Sequence, residues 1–142
     1  MRRICLLLGL LLLTVPVAAQ NPVTPAAAVT STVYDGTTPL LPKFAVIDAA
    51  SSGNNTLVAA VSGYNIRVLA AFFTMTGTAV TIRFESGADG VALTGQMTPS
   101  QGQTIPLPFN PVGWFESTTL LNLELGGAQS VDGALIYVEV PQ

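Results

Sequence analysis

From Lys43 onward the chain is built of short runs of Val, Ile, Leu, Phe and Thr, each closed by Gly, Asn, Ser, Asp or Pro, the pattern of strands separated by turns. Eight such runs predict strands near 44–48, 56–61, 66–76, 79–85, 91–97, 103–107, 120–125 and 135–140. Turns are expected at 51–55, 62–65, 76–78, 86–90 and 126–127, with Asp132-Gly133 ahead of the last strand. Alternation assigns the faces, because side chains two apart in a strand point the same way. Leu121, Leu123 and Leu125 share a face opposite Leu120, Asn122 and Glu124; Val80, Ile82 and Phe84 share one opposite Ala79, Thr81, Arg83 and Glu85. The run IRVLAAFFTMT breaks this pattern, with apolar residues on both faces after Val68. A strand buried on both sides, or one with a face in a subunit contact, accounts for that. Regular strand spacing with helix signals nearly absent predicts an all-β, antiparallel β-sandwich, jelly-roll-like, of about eight strands.

Two segments precede this pattern. Residues 1–19 have the form of a signal peptide: Arg2 and Arg3 lead an apolar stretch from Ile4 to Val15, and Val17-Ala18-Ala19 supplies a small-residue cleavage site. Pro16 closes the stretch short of the roughly 20 residues that span a bilayer, so no membrane span is expected after cleavage. Residues 20–42 carry Pro22, Pro25, Pro39 and Pro42 among Ala, Val and Thr, and predict an extended arm because proline fixes φ and removes a donor. Within the arm, AVTSTVY (28–34) has enough β-branched residues to add a strand, either to its own domain or to a neighbour. The β-sandwich domain is expected over 43–142.

Charge and chemistry narrow the function. Cleavage leaves three cations, Lys43, Arg67 and Arg83, against eight acids, a net charge of −5. Three scattered cations cannot neutralise a run of phosphates, so no nucleic-acid partner is expected. Cys5, the single cysteine, leaves with the signal peptide, and the chain has no histidine. Thiolate nucleophiles, Ser-His arrangements and the commonest metal ligands are thereby removed, and no catalytic residue, cofactor or metal is assigned. Lys43, the sole lysine, sits beside Pro42 at the arm boundary, a poor place to desolvate an amine. Glu85, Asp89, Glu116 and Glu124 are the carboxylates that a glycosidase would need, but on alternating strands they are expected to face outward as solubilising charges. Residues 85–90 cluster oxygen ligands with glycine, yet lack the acidic spacing of a calcium loop, and a hairpin turn is the preferred reading.

The one stretch in which aromatics, prolines and glycine crowd together is PFNPVGWFES, 108–117. Phe109, Trp114 and Phe115 are the candidate interface or glycan contacts, since a ring held on a rigid loop can stack on a sugar or anchor a partner. The preferred alternative has Trp114 and Phe115 straddling a core edge, one ring in and one half out.

Four passages, SSGNNTLVAAVSGYNIRVLAA (51–71), TAVTIRFESG (78–87), PFNPVGWFEST (108–118) and LNLELGGAQSVDGALIYVEV (121–140), together resemble the small β-sandwich domains of tailed-phage virion proteins, of the head-decoration or fibre type. The resemblance implies a jelly-roll-like fold, commonly trimeric, that adds to a capsid or fibre without doing chemistry. Virion proteins assemble inside the host cell, whereas this chain carries an export segment, which favours a secreted or surface relative. The reading is therefore a non-enzymatic, exported structural or assembly module, a homo-oligomer (trimer or polymer) that is virion-decoration-like or part of an extracellular fibre or surface layer. It would be secreted or at the cell surface, with the periplasm as another compartment. A carbohydrate-binding or adhesive module is the alternative.

Overall fold

The computed structural model describes Thr32 to Gln142; the expected signal peptide and the first part of the expected arm lie outside the described residues. Among these there is no helix, and every strand pairing is antiparallel. Eleven strands form: β1 (Val33–Asp35), β2 (Thr38–Leu40), β3 (Lys43–Ala49), β4 (Gly53–Val58), β5 (Tyr64–Met75), β6 (Ile82–Ser86), β7 (Val91–Ala92), β8 (Thr104–Leu107), β9 (Phe115–Ser117), β10 (Leu121–Leu125) and β11 (Val131–Pro141). One sheet has the order β3-β11-β5-β8, with β9 also on β5, and the other has the order β4-β10-β6-β7. With β1, β2 and β9 set aside, the eight long-range strands lie in the orders 1-8-3-6 and 2-7-4-5. That is the jelly roll, two interleaved Greek keys.

The core fills the space between the sheets. Ile47, Ile66, Val68, Phe73, Met75 and Leu135 come from the first sheet, and Ile82, Phe84, Leu121, Leu123 and Leu125 from the second. The three leucines of β10 and the Ile82/Phe84 pair point inward, as alternation predicts. Phe73 meets Phe84 edge-on across the layers, with centroids 5.7 Å apart at 69°, a geometry favoured by the ring quadrupoles.

Strand boundaries moved where side chains replace backbone partners. The expected turn at 51–55 ends early, because Asn55 closes it with its own amide: Ser51 N donates to Asn55 Oδ1 (3.1 Å) and Asn55 Nδ2 donates to the Ser51 carbonyl (2.8 Å). Asn54 and Asn55 are thus free to begin β4. Asp132-Gly133 is no turn but lies within β11, where Gly133 faces Phe73 of β5 and Ile47 of β3. A Cβ on Gly133 would stand 2.0 Å from the Phe72 carbonyl oxygen, so the close approach of the strands demands glycine. The run expected over 91–97 is a strand only at Val91–Ala92, and resumes pairing in a single bridge between Met97 and Ile82.

The expected arm requires a larger correction. Val33–Asp35 and Thr38–Leu40 form a hairpin through Gly36, at φ +54°, and it packs on its own domain. Val33 and Leu40 are buried with Leu69, Val138 and Val140. Among the described residues the folded unit therefore includes Val33–Leu40, upstream of the expected boundary at Lys43, because Val33 and Leu40 are partners across the hairpin and together supply an apolar side that the prolines concealed.

Deletion of 20–42 removes two buried side chains and uncovers three more, a loss of roughly 3–6 kcal/mol visible in urea unfolding. Gly133→Ala is expected to cost about 1–3 kcal/mol in the same assay.

Candidate functional site

A bulge in β5 sets the geometry of the outer face of the first sheet. In the pairing of β5 with β11 the register shifts between Ile136 and Tyr137: Ala70 faces Ile136, Val68 faces Tyr137, and Leu69 is the extra residue. A one-residue insertion reverses which side chains point inward. Below the bulge Ile66 and Val68 are inside; above it Ala71, Phe73 and Met75 are. This is the origin of the untidy pattern in IRVLAAFFTMT.

The bulge also anchors the aromatic loop. Asn110 N donates to the Leu69 carbonyl and Trp114 N to the Val68 carbonyl, each at 2.8 Å. Gly113, at φ +93°, lies so close to Arg67 that a Cβ would stand 2.5 Å from its Cγ. Asn110 closes the loop on itself, its Nδ2 donating to the Gly113 carbonyl at 2.8 Å.

On the outer face, cross-strand register builds two apolar rows. Val46, Ala134, Phe72 and Pro106 form one; Phe44, Ile136 and Ala70 form the other. Phe44 is 67% exposed, Val46 64% and Phe72 54%. Small residues in the middle and large ones at the sides make a groove of about 280 Å³, floored by Ala70 and Ala134, walled by Phe44, Phe72 and Phe109, and lined by no charged residue. A polar row of Asp48, Asp132, Thr74 and Thr104 bounds it above. Below, the hairpin β1–β2 covers Leu69, Val138 and Val140, held by Arg67, which pairs with Asp35 (3.1 Å) and Glu116 (2.6 Å). Burial alone would lower the Arg67 pKa, but the hydrogen bonds to Glu116 and Asp35 outweigh it and hold the pKa above the ordinary value.

The three aromatics singled out in the sequence therefore part company. Phe109 joins the groove. Trp114 is 47% exposed, donates its indole N–H to the Pro108 carbonyl at 2.7 Å, and covers a cavity of about 160 Å³ at the sandwich edge, with Phe73, Phe84 and Met97 beneath. Phe115 packs on Phe84, centroids 5.0 Å apart, and serves the core. One ring in and one half out is the arrangement found. Phe44, Val46, Phe72, Ala70 and Ala134 were not singled out in the sequence. Phe44 and Val46 had a signal in FAVI of β3, apolar on both faces of a strand at the edge of its sheet, and Ala70 and Phe72 lie in the run IRVLAAFFTMT, whose second apolar face was open to a subunit contact.

No family model matches the chain, and no curated protein matches it. Among solved structures the chain is similar to one described by the words "Bacillus endospore appendages form a novel family of disulfide-linked pili", with 17% identity over 72% of this chain and 88% of that chain, at a TM-score of 0.47.

The outer face of the second sheet is the other concentration of chemistry. Glu85, expected to face solvent, is fully buried; Arg83 Nε donates to its Oε1 at 2.6 Å and forms an ion pair with Glu124 Oε2 at 2.5 Å. The hydrogen bond to Glu85, outweighing the opposing burial, raises the pKa of Arg83. Asn122 is also buried; its Nδ2 donates to Asn54 Oδ1 (2.7 Å) and Glu85 Oε2 (3.1 Å), while its Oδ1 has no partner. Asp89 continues the chain of contacts by accepting from Asn54 Nδ2 at 2.9 Å. Residues 87–90 form the hairpin turn between β6 and β7. Two carboxylates thus meet here, but on a guanidinium that occupies both, an arrangement that locks strands β6 and β10 together. Among the described residues no three of His, Cys, Asp or Glu converge to hold a metal ion, and no helix is long and apolar enough to cross a membrane.

Glu85→Ala is expected to lower the thermal midpoint markedly, because it leaves Asn122 Nδ2 and Arg83 short of an acceptor in a dry site. Glu85→Gln, which keeps the volume and one acceptor, should lower it less; differential scanning calorimetry of the pair reads the difference.

Proposed function

We propose that the chain is a non-enzymatic structural module, exported to the cell exterior or surface, that self-associates through the open half of the first sheet's outer face. The observation that carries this reading is the groove between Phe44, Phe72 and Phe109: an uncharged apolar surface on a face whose other half is already sealed by a hairpin. Contiguous exposed apolar surface on a small domain marks a contact site, and an interface of this kind is aromatic at its centre and poor in charge. The jelly-roll order agrees with the fold implied by the resemblance to virion decoration and fibre domains. The ion pairs support the absence of chemistry in this proposal, since Arg67, Arg83 and Lys43 are each committed to carboxylates.

A second reading, a carbohydrate-binding or adhesive module, has the half-exposed ring of Trp114 in its favour, beside the exposed Val112. Its indole N–H is already spent on Pro108, so the ring would meet a sugar by stacking.

Light scattering of the chain from Gln20 over a range of concentrations tests the first reading. A trimer or larger polymer is expected, with Val46→Ser/Phe72→Ser reduced to a monomer whose circular dichroism shows the fold retained, since both side chains are exposed. A wild-type monomer at every concentration overturns it. A glycan screen that Trp114→Ala abolishes would establish the second reading instead.

A further inference from the structure

We infer that the space beneath Trp114 is a binding site for one small, uncharged apolar molecule, the size of a single aromatic ring or a short alkyl chain. It lies inside the sandwich, between Phe73, Ile105 and Leu107 of the first sheet and Phe84, Leu93 and Met97 on the side of the second. Its origin is in the backbone. The run over 91–97 pairs as a strand only at Val91–Ala92 and rejoins β6 through the bridge of Met97 with Ile82, so the second sheet has no regular strand there to close against β8. The space left is about 160 Å³. An apolar cavity of about 150 Å³ stays dry and admits a benzene-sized guest.

The two rings at its mouth are not free to fall in. Trp114 is held twice over: its backbone N donates to the Val68 carbonyl at 2.8 Å and its indole N–H to the Pro108 carbonyl at 2.7 Å. The ring therefore roofs the space and stays half exposed, although sinking inward would bury it. Phe115 is committed to Phe84, with centroids 5.0 Å apart. Protein interiors are ordinarily packed as densely as organic crystals. A lined space whose roof is tied above it is one that the fold holds open.

The lining selects the class of guest. Thr94 and Trp114 carry the polar side-chain atoms around the space, and both are engaged: Thr94 Oγ1 accepts from Phe84 N at 3.1 Å, and Trp114 donates to Pro108. A water, an ion or a sugar placed there would leave its own polar groups short of partners, which is costly in an apolar setting. The rim selects a free molecule over the side chain of a docking protein. On the 93–100 side of the mouth the residues shown to solvent are Gly95, Gln96, Thr98 and Ser100, whereas the centre of a protein contact is apolar and aromatic. A small guest inside the sandwich leaves those polar groups in water. The site is independent of self-association, and either can hold without the other.

Trp114 is the only tryptophan in the chain, so its fluorescence reports on the space beneath it. Bromobenzene, whose heavy atom quenches indole emission, is titrated into the chain from Gln20. Quenching that saturates at one molecule per chain is expected, relieved by cyclohexane but not by glucose, and accompanied by a rise in thermal midpoint. Leu93→Phe, whose added ring takes up the space, is expected to weaken binding at least about tenfold. A crystal pressurised with xenon gives a readout that needs no variant: a xenon atom among Phe73, Phe84 and Met97 is expected. Quenching that rises without saturating, together with no xenon at that place, overturns the site. Saturable quenching that glucose relieves and cyclohexane does not puts the ligand on the outer side of Trp114, and overturns the apolar site in favour of a sugar.

Discussion

The pairing of β11 with β5 is the constraint on which the other parts of the molecule depend. β11 lies between the first long strand, β3, and β5, so the first sheet cannot close until β11 is in place. Gly133 permits the two strands to approach, and the bulge at Leu69 decides what each half of β5 presents to either side. Without the bulge, the strand could not place both Val68 and Phe73 in the core, since an odd separation puts them on opposite faces. The same bulge frees the Val68 and Leu69 carbonyls toward the aromatic loop, which makes the loop's position a consequence of strand register.

The two outer faces meet the cost of leaving the core in different ways. The second sheet covers its own polar residues: Arg83, Glu85, Asn122, Asn54 and Asp89 bond to one another, with only Asn122 Oδ1 left unpaired among them, and the network gains strength from its buried setting. The first sheet instead presents hydrocarbon. At one end the hairpin of Val33 and Leu40 removes it from water; at the other, Phe44, Val46 and Phe72 keep it in water.

Much of this architecture was legible because alternation is a strong signal where one face is buried. Leu121, Leu123 and Leu125 read correctly as a single inward stripe, and Ile82 with Phe84 as another. The failures share a physical cause: each involves a residue whose placement is decided by contacts that the alternation pattern does not carry. Gly133 resembles a turn residue until β5 is placed against it. Asn54 and Asn55 look like a loop until their amides are seen to close the preceding turn and reach Asp89. Glu85 reads as a surface charge because nothing in one sequence puts Arg83 and Asn122 around it. Val33 and Leu40 were hidden in a proline-rich context that correctly predicts extended backbone but does not reveal which surface the extension covers. Of the candidate site, Phe109 and Trp114 were visible as local oddities. The groove itself was not, since Phe44, Ala70, Phe72 and Ala134 come from three strands and meet only through register.

The asymmetry between the faces is itself an argument about assembly. A domain with a net negative charge and a mutually bonded polar network on one side has no need of an apolar groove for its own stability: exposed Phe44 and Phe72 contribute little to a core they do not enter. Replacing them with Thr or Ser, common elsewhere on this surface, would cost the isolated fold little and lessen aggregation through the open edge of β3. Their presence on the half-face that the hairpin leaves bare, with two alanines lowering the floor between them, is therefore better explained by a contact completed from outside the described domain than by the demands of folding.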